Sequence, residues 1–178
     1  MRIGIDLDDT ICDTTEIVHE KLEEYSETLN INPLDIMNDE ELKINFFNIY
    51  LEDIYSNVRI KSGAGEVIRK LHNLGNTIIF ITARSNGLHD VVSITKKWLE
   101  DNDIIYDMLV TSCYGETKAS ACKEQSVDLM IDDDPFNYKQ IGLVGIKCLL
   151  FDDRGRYELK GNYVTNWMDV LKYIEEMR

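Results

Sequence analysis

Ile3-Gly4-Ile5-Asp6-Leu7-Asp8-Asp9-Thr10 is an apolar strand that runs directly into carboxylates. Three acids at the end of a buried strand are costly, because two like charges about 4 Å apart repel by roughly 4 kcal/mol at an effective dielectric near 20. No basic residue stands among them or just beyond. Such a cluster implies a bound cation, shifted pKa values, or both. Residues i and i+2 of a strand face one side, so Asp6 and Asp8 are expected to share a face. At about 3.3 Å of rise per residue, their carboxylates lie roughly 7 Å apart. One metal and one small tetrahedral group fit that gap, which makes this strand end the expected seat of the chemistry.

Further along the chain, short apolar strands alternate with helical patterns, the signature of βα units and a parallel sheet. Strands are expected at 2–7, 77–82, 108–111, 129–132 and 147–151, with an edge strand at 163–165. Helices are expected at 65–74, ending at Gly75, then at 88–99, 116–125, 135–141 and 167–177, the last capped by Asn166. About fifty residues after the first strand break the alternation. Val18, Leu22, Tyr25 and Leu29 have amphipathic spacing, Asn32-Pro33 marks a turn, and Leu42, Phe46, Phe47, Tyr50 and Leu51 make a second apolar face. The expected fold is therefore α/β: a Rossmann-like parallel sheet with helices on both faces, plus a small helical cap inserted after the first strand. The catalytic core is assigned to 1–12 and 61–178, and the cap to 13–60. The cap sits over the carboxyl end of the sheet, where open α/β sheets bind ligands.

Composition narrows the function. The formal net charge of −14 argues against nucleic-acid polymers and anionic membrane surfaces, both of which are gripped by clustered Lys and Arg. Its plainest consequence is solubility. A small anion brought in with a divalent cation is compatible with it. The four cysteines, at 12, 113, 122 and 148, lack metal-site or redox spacing and fit a reduced cytoplasm. No basic segment followed by a long apolar run marks the start of the chain, and no apolar run approaches the roughly 20 residues of a membrane span.

Four features fall at strand ends or just beyond: Asp6-x-Asp8-x-Thr10; Thr82-Ala83-Arg84; Lys118; and Ile131-Asp132-Asp133-Asp134-Pro135. In this order they resemble the motifs of haloacid dehalogenase-like phosphatases, across essentially the whole chain. The Ile131-Asp132-Asp133 stretch and compact helical cap are most similar to the cytosolic-type 5'(3')-deoxyribonucleotidases and their bacterial relatives. The resemblance implies a Mg²⁺-dependent phosphomonoesterase acting on nucleoside monophosphates. Asp6 is then the nucleophile and Asp8 the proton shuttle. Thr82, Ala83 and Lys118 hold the phosphate. Asp6, Asp8 through its carbonyl, and one of Asp132 and Asp133 hold the metal. The resemblance favours Asp133 as direct ligand, while the residues alone leave that order open. Two departures from the animal enzymes stand out: Asp9 replaces a glycine, and Ala83-Arg84 follows Thr82 where a Ser-Pro pair is usual. The base-recognising residues therefore do not carry over, and a sugar phosphate or other small metabolite is the alternative substrate.

Plainer readings stand beside these. Asp134 suits the cap of a helix opening at Pro135. Lys123 rivals Lys118 on the same helix. Arg84 is expected either at the substrate phosphate or on the surface. Phe46, Phe47, Tyr50 and Tyr55 offer an aromatic slot for a base, but helical spacing makes cap core the default. A phospho-receiver module is a weaker reading, since its acceptor would be Asp53, in a helical stretch. Whether the chain forms a homodimer is left open.

Overall fold

The computed structural model describes residues 1–85, 87–157 and 161–177. Strand β1 (Arg2–Ile5) is followed by three helices, α1 (Thr14–Leu29), α2 (Pro33–Asn38) and α3 (Glu40–Asn57). Alternation then sets in with α4 (Ala64–Asn73), β2 (Thr77–Ile81), α5 (Val91–Asp101), β3 (Met108–Val110), α6 (Glu116–Glu124) and β4 (Leu129–Asp132). It continues through α7 (Pro135–Leu143), β5 (Lys147–Phe151), β6 (Tyr163–Val164) and α8 (Trp167–Glu176).

The six strands form one parallel sheet in the order β3-β2-β1-β4-β5-β6. Strand alternation divides the apolar side chains between two layers. Ile3, Ile5, Phe80, Ile131 and Phe151 pack with Val67 and Leu71 of α4, Trp98 of α5 and Val170 of α8. Ile79, Ile81, Met130 and Cys148 point the other way and pack with Ala119 and Cys122 of α6 and Ile141 of α7. The four cysteines are unpaired and buried. No helix among the described residues is long and apolar enough to cross a membrane.

The inserted helices carry a core of their own, built from Leu22, Tyr25, Ile36, Phe46 and Ile54. Asn32 caps α2 through the Leu34 amide at 2.9 Å, and Asp39 caps α3 through the Leu42 amide at 3.0 Å. The two chain segments that lead into and out of this unit run side by side. Asp13 N–H donates to the Arg59 carbonyl (2.9 Å), and Lys61 N–H donates to that of Ile11 (2.8 Å). Two indoles flank the crossing: Trp167 Nε1 donates to the Thr10 carbonyl at 3.1 Å and Trp98 Nε1 to that of Val58 at 2.9 Å.

Most boundaries fall within one or two residues of expectation, and two of the differences bear on the site. Strand β1 ends at Ile5 rather than Leu7, because the Leu7 carbonyl turns to accept from the amides of Thr10, Ile11 and Cys12 at 2.9–3.3 Å. Helix α5 begins at Val91 rather than Leu88, since Asp90 caps it through the Ser93 amide, and Leu88 is 80% exposed.

Gly115, just before α6, has φ 55° and ψ −119°, a conformation closed to L side chains. A Cβ there would sit 2.6 Å from Phe136 Cε1. Its amide donates to Asn137 Oδ1 at 2.8 Å. Gly115→Ala is therefore expected to cost about 1–3 kcal/mol in urea unfolding. A loss below about 0.5 kcal/mol, the range of neutral surface changes, contradicts this reading.

Candidate active site

Strand register brings the acids together. Ile5 of β1 lies beside Phe80 of β2 and Ile131 of β4. Asp6 and Asp132 come next on their strands, and neighbouring strands are about 4.8 Å apart. Thr82 follows Ile81 at the end of β2. From β1 the chain fills the β2–β3 side of the sheet and then returns to β4 on the other side. The strand order therefore reverses between β1 and β4, and the crevice at such a switch point is where open α/β sheets take ligands.

Lys118 rises into this crevice from the first turn of α6. Its Nζ is 2.9 Å from Asp6 Oδ1 and 2.8 Å from Asp132 Oδ2, and its side chain is 1% exposed. Asp132 is otherwise engaged: its Oδ1 accepts from the Asp134 amide at 3.0 Å and Asn137 Nδ2 at 3.1 Å. Asp133 accepts from Thr10 Oγ1 at 3.3 Å and from Arg156 Nη2 at 3.0 Å. Asp6 Oδ1 meets only the Lys118 ammonium; among the described residues it is the one buried side-chain oxygen with no hydrogen-bond partner beyond its ion pair. Asp6, Asp132 and Asp133 each present an oxygen, and the three oxygens lie within 4.8 Å of one another. Three carboxylates, one with an oxygen held only by its ion pair, form a hard oxygen donor set that fits a divalent cation such as Mg²⁺.

The electrostatics follow from burial and crowding. Burial, with Asp132, Asp133 and Asp8, lifts the Asp6 pKa well above the carboxylate range against the pull of Lys118. Burial also opposes the charge on Lys118, but Asp6 and Asp132 outweigh it and keep the ammonium protonated. Asp133 is pushed up to about 7 by burial and by Asp132, with Arg156 opposing. Asp8 goes the other way, because burial is outweighed by Arg84, and its pKa falls below the usual value.

Arg84 is the clearest departure from the surface alternative. Its side chain is fully buried, with Nε 3.0–3.1 Å and Nη2 2.6 Å from the Asp8 carboxylate. Since β1 stops at Ile5, the direction of Asp8 is set by this contact and by Thr14 Oγ1 at 2.6 Å, not by strand alternation. Thr82 is fully buried, and its hydroxyl accepts from the Arg84 amide at 3.2 Å. Ala83 is exposed beside it.

The cap aromatics divide. Phe46 is fully buried against Tyr25, Phe47 and Tyr50, so it has no face free for a base. Phe47 and Tyr50 are half-buried in the same cluster, and the Tyr50 hydroxyl donates to Glu24 at 3.4 Å. Tyr55 lies instead against Arg84, its ring centroid 4.0 Å from the guanidinium carbon. Asp53 lies inside α3, paired with Lys21 at 2.6 Å, and not at the strand end a receiver requires.

Several residues at the site were not anticipated. Asp9, with φ 55°, accepts from the Thr15 amide at 3.0 Å and from the Thr15 hydroxyl, tying the turn to α1. Asn137 fastens Asp132, and Arg156 pairs with Asp133. Lys61 bridges Asp13 and Asp153 at 2.5–2.6 Å. A signal was present for the arginines: Asp152-Asp153-Arg154-Gly155-Arg156 follows β5, and the carboxyl end of every parallel strand faces the crevice.

No family model matches the chain. A protein of Oceanobacillus iheyensis provisionally named a nucleotidase is 27% identical over 188 residues, covering 97% of this chain and 98% of its own length. Among solved structures, a haloacid dehalogenase-like hydrolase from Streptococcus pneumoniae superposes with a TM-score of 0.77 at 12% identity, covering 97% of each chain. A magnesium-bound hydrolase of the same superfamily from Bacillus subtilis superposes with a TM-score of 0.74 at 13% identity, covering 98% of each. The fold is that of the haloacid dehalogenase-like hydrolases.

Lys118→Met leaves Asp6 and Asp132 buried without a cation. Breaking a buried pair in this way typically costs about 3–5 kcal/mol. Chemical denaturation at neutral pH should show a loss of that order. The deficit should shrink as pH falls and the stranded carboxylates take up protons. A loss that stays constant with pH contradicts the assignment of Lys118 as their counter-charge.

Proposed function

We propose that this chain is a Mg²⁺-dependent phosphomonoesterase that hydrolyses nucleoside monophosphates through an aspartyl-phosphate on Asp6. The observation that carries the reading is the Asp6 carboxylate, whose buried oxygen meets only the Lys118 ammonium in a crevice that also gathers Asp132 and Asp133. The provisional name of the Oceanobacillus relative favours a nucleotide among phosphate esters.

Asp6, the Asp8 carbonyl and Asp133 would hold the cation, with Asp132, already bound by Lys118 and Asn137, behind them. When bound, the cation neutralises the crowded carboxylates and the incoming phosphate, which leaves Asp6 ionised and nucleophilic. The Thr82 hydroxyl and the backbone after it, including Ala83, hold phosphoryl oxygens. Lys118 offsets the charge that builds on them in the transition state.

In the first step an Asp6 oxygen bonds to phosphorus as the bond to the leaving oxygen breaks, and Asp8 gives that oxygen its proton. In the second, water attacks phosphorus, Asp8 takes the water's proton, and Asp6 leaves phosphate free. With Arg84 gripping it, Asp8 is a readier base than acid, so the first step makes the greater demand on it. Asp6, Thr82 and Lys118 are almost fully covered, so a nucleotide gains access only when the structure around them opens; the segment 13–60, which reaches Asp8 through Thr14 and Arg84 through Tyr55, is the part that would move as a lid.

The test is phosphate release from a panel of ribo- and deoxyribonucleoside monophosphates and sugar phosphates. Wild type should turn over nucleotides best. Asp6→Asn should lose at least about 10³-fold in kcat, as expected of a removed nucleophile. Chelation should abolish turnover and added Mg²⁺ restore it. An undiminished Asp6→Asn enzyme overturns the mechanism, and a preference for sugar phosphates overturns the substrate assignment alone.

A further inference from the structure

Arg84 is a fully buried charged side chain, and nearly all of its donors are spoken for by residues that other elements bring to it. Its Nε spans both Asp8 oxygens at 3.0–3.1 Å, and Nη2 reaches Asp8 Oδ1 at 2.6 Å and Cys12 Sγ at 3.6 Å. Nη1 donates to Thr95 Oγ1 of α5 at 3.3 Å. The Tyr55 ring of α3 covers the guanidinium face at 4.0 Å, a stacking that Arg makes and Lys does not reproduce. Thr14, the first residue of α1, donates its hydroxyl to the Asp8 Oδ1 that Arg84 also holds, at 2.6 Å. Two of these groups, Thr14 and Tyr55, come from the inserted helices, while Arg84 and Thr95 come from the sheet-bearing part.

We infer that Arg84 is a positioning residue. It fixes the Asp8 carboxylate in its working orientation, and it does so fully only when α1 and α3 are seated and supply Thr14 and Tyr55. The geometry disfavours Arg84 as a contact for substrate phosphate, since its Nε and Nη2 are taken up by the Asp8 carboxylate and its face by the Tyr55 ring. A guanidinium fork meeting a carboxylate on two sides removes rotational freedom that a single hydrogen bond leaves. Strand geometry cannot supply that order, because β1 has already ended at Ile5. Seating of the cap thus orders a catalytic side chain.

The inference rests on Asp8 working as acid and base for phosphate esters, and the test separates the two ideas. Steady-state kinetics are measured on p-nitrophenyl phosphate and on the best nucleotide for wild type and for Arg84→Ala, Arg84→Lys, Thr14→Val and Tyr55→Leu. Arg84→Ala should lose about 10²-fold in kcat, the scale of an ångström misplacement, with KM within about threefold of wild type. Arg84→Lys should lose nearly as much, because charge without the fork does not orient Asp8. Thr14→Val and Tyr55→Leu should lose about fivefold to tenfold in kcat, again at constant KM. Methylguanidine should restore Arg84→Ala saturably and leave wild type unchanged. Should Arg84→Ala fail to fold, the lysine, valine and leucine variants decide the matter by the same split. A raised KM at unchanged kcat makes Arg84 a substrate contact and overturns the inference, as does wild-type kcat in Arg84→Lys. An active wild type showing either result leaves the phosphatase reading standing. A wild type inert toward every ester removes both.

Discussion

One ammonium among buried carboxylates holds the centre of this molecule together. The register of two parallel strands sets Asp6 beside Asp132, and the turn after β4 adds Asp133. Bringing them together is unfavourable unless a cation lies between them. Lys118 supplies part of the compensation, and the rest of the local structure serves to place it. Gly115 adopts a backbone conformation that other residues avoid, Asn137 ties that turn to Asp132, and α6 then points Lys118 into the crevice. The charge left over, chiefly around Asp6, is what makes the site receptive to a divalent cation.

A second balance operates above the crevice. Asp8, Asp9 and Asp13 each meet partners that lie far away in sequence: Arg84 for Asp8, Arg154 for Asp9, and Lys61 with Arg154 for Asp13. These contacts differ in weight. Pairs at partly exposed arginines, such as Arg154, are screened by water and contribute little. Those of Arg84 and Lys61, buried on the cationic side, carry orientation as well as charge.

How legible this was in the sequence depends on the length scale of each cause. The strands were readable because β4 and β5 are continuous apolar runs, as sheets covered on both faces require. The gathering of the acids at 6, 132 and 133 was readable because the carboxyl ends of parallel strands converge. The inserted helices could be read from period and from the turn at Asn32-Pro33. What escaped depended on long-range partners. The end of β1 is set by three amides that converge on the Leu7 carbonyl, although Leu7 itself reads as strand. Arg84 reads as a phosphate contact or a surface arginine until Asp8, 76 residues earlier, is placed beside it. Phe46 and Tyr55 carry the same helical signal, yet one is sealed in a core and the other lies on a guanidinium. Spacing cannot separate them without knowing what each helix face meets.

The chain contains two tryptophans, and both donate their indole N–H to backbone carbonyls at the crossing into and out of the inserted helices. Trp167 holds Thr10 on the way in, and Trp98 holds Val58 on the way out. Both rings are nearly shielded from water, at 1% and 2% exposure. Any hinging at this crossing must strain or exchange those bonds. The emission of the protein's own indoles is therefore a built-in optical gauge of the crossing, with no extrinsic dye required.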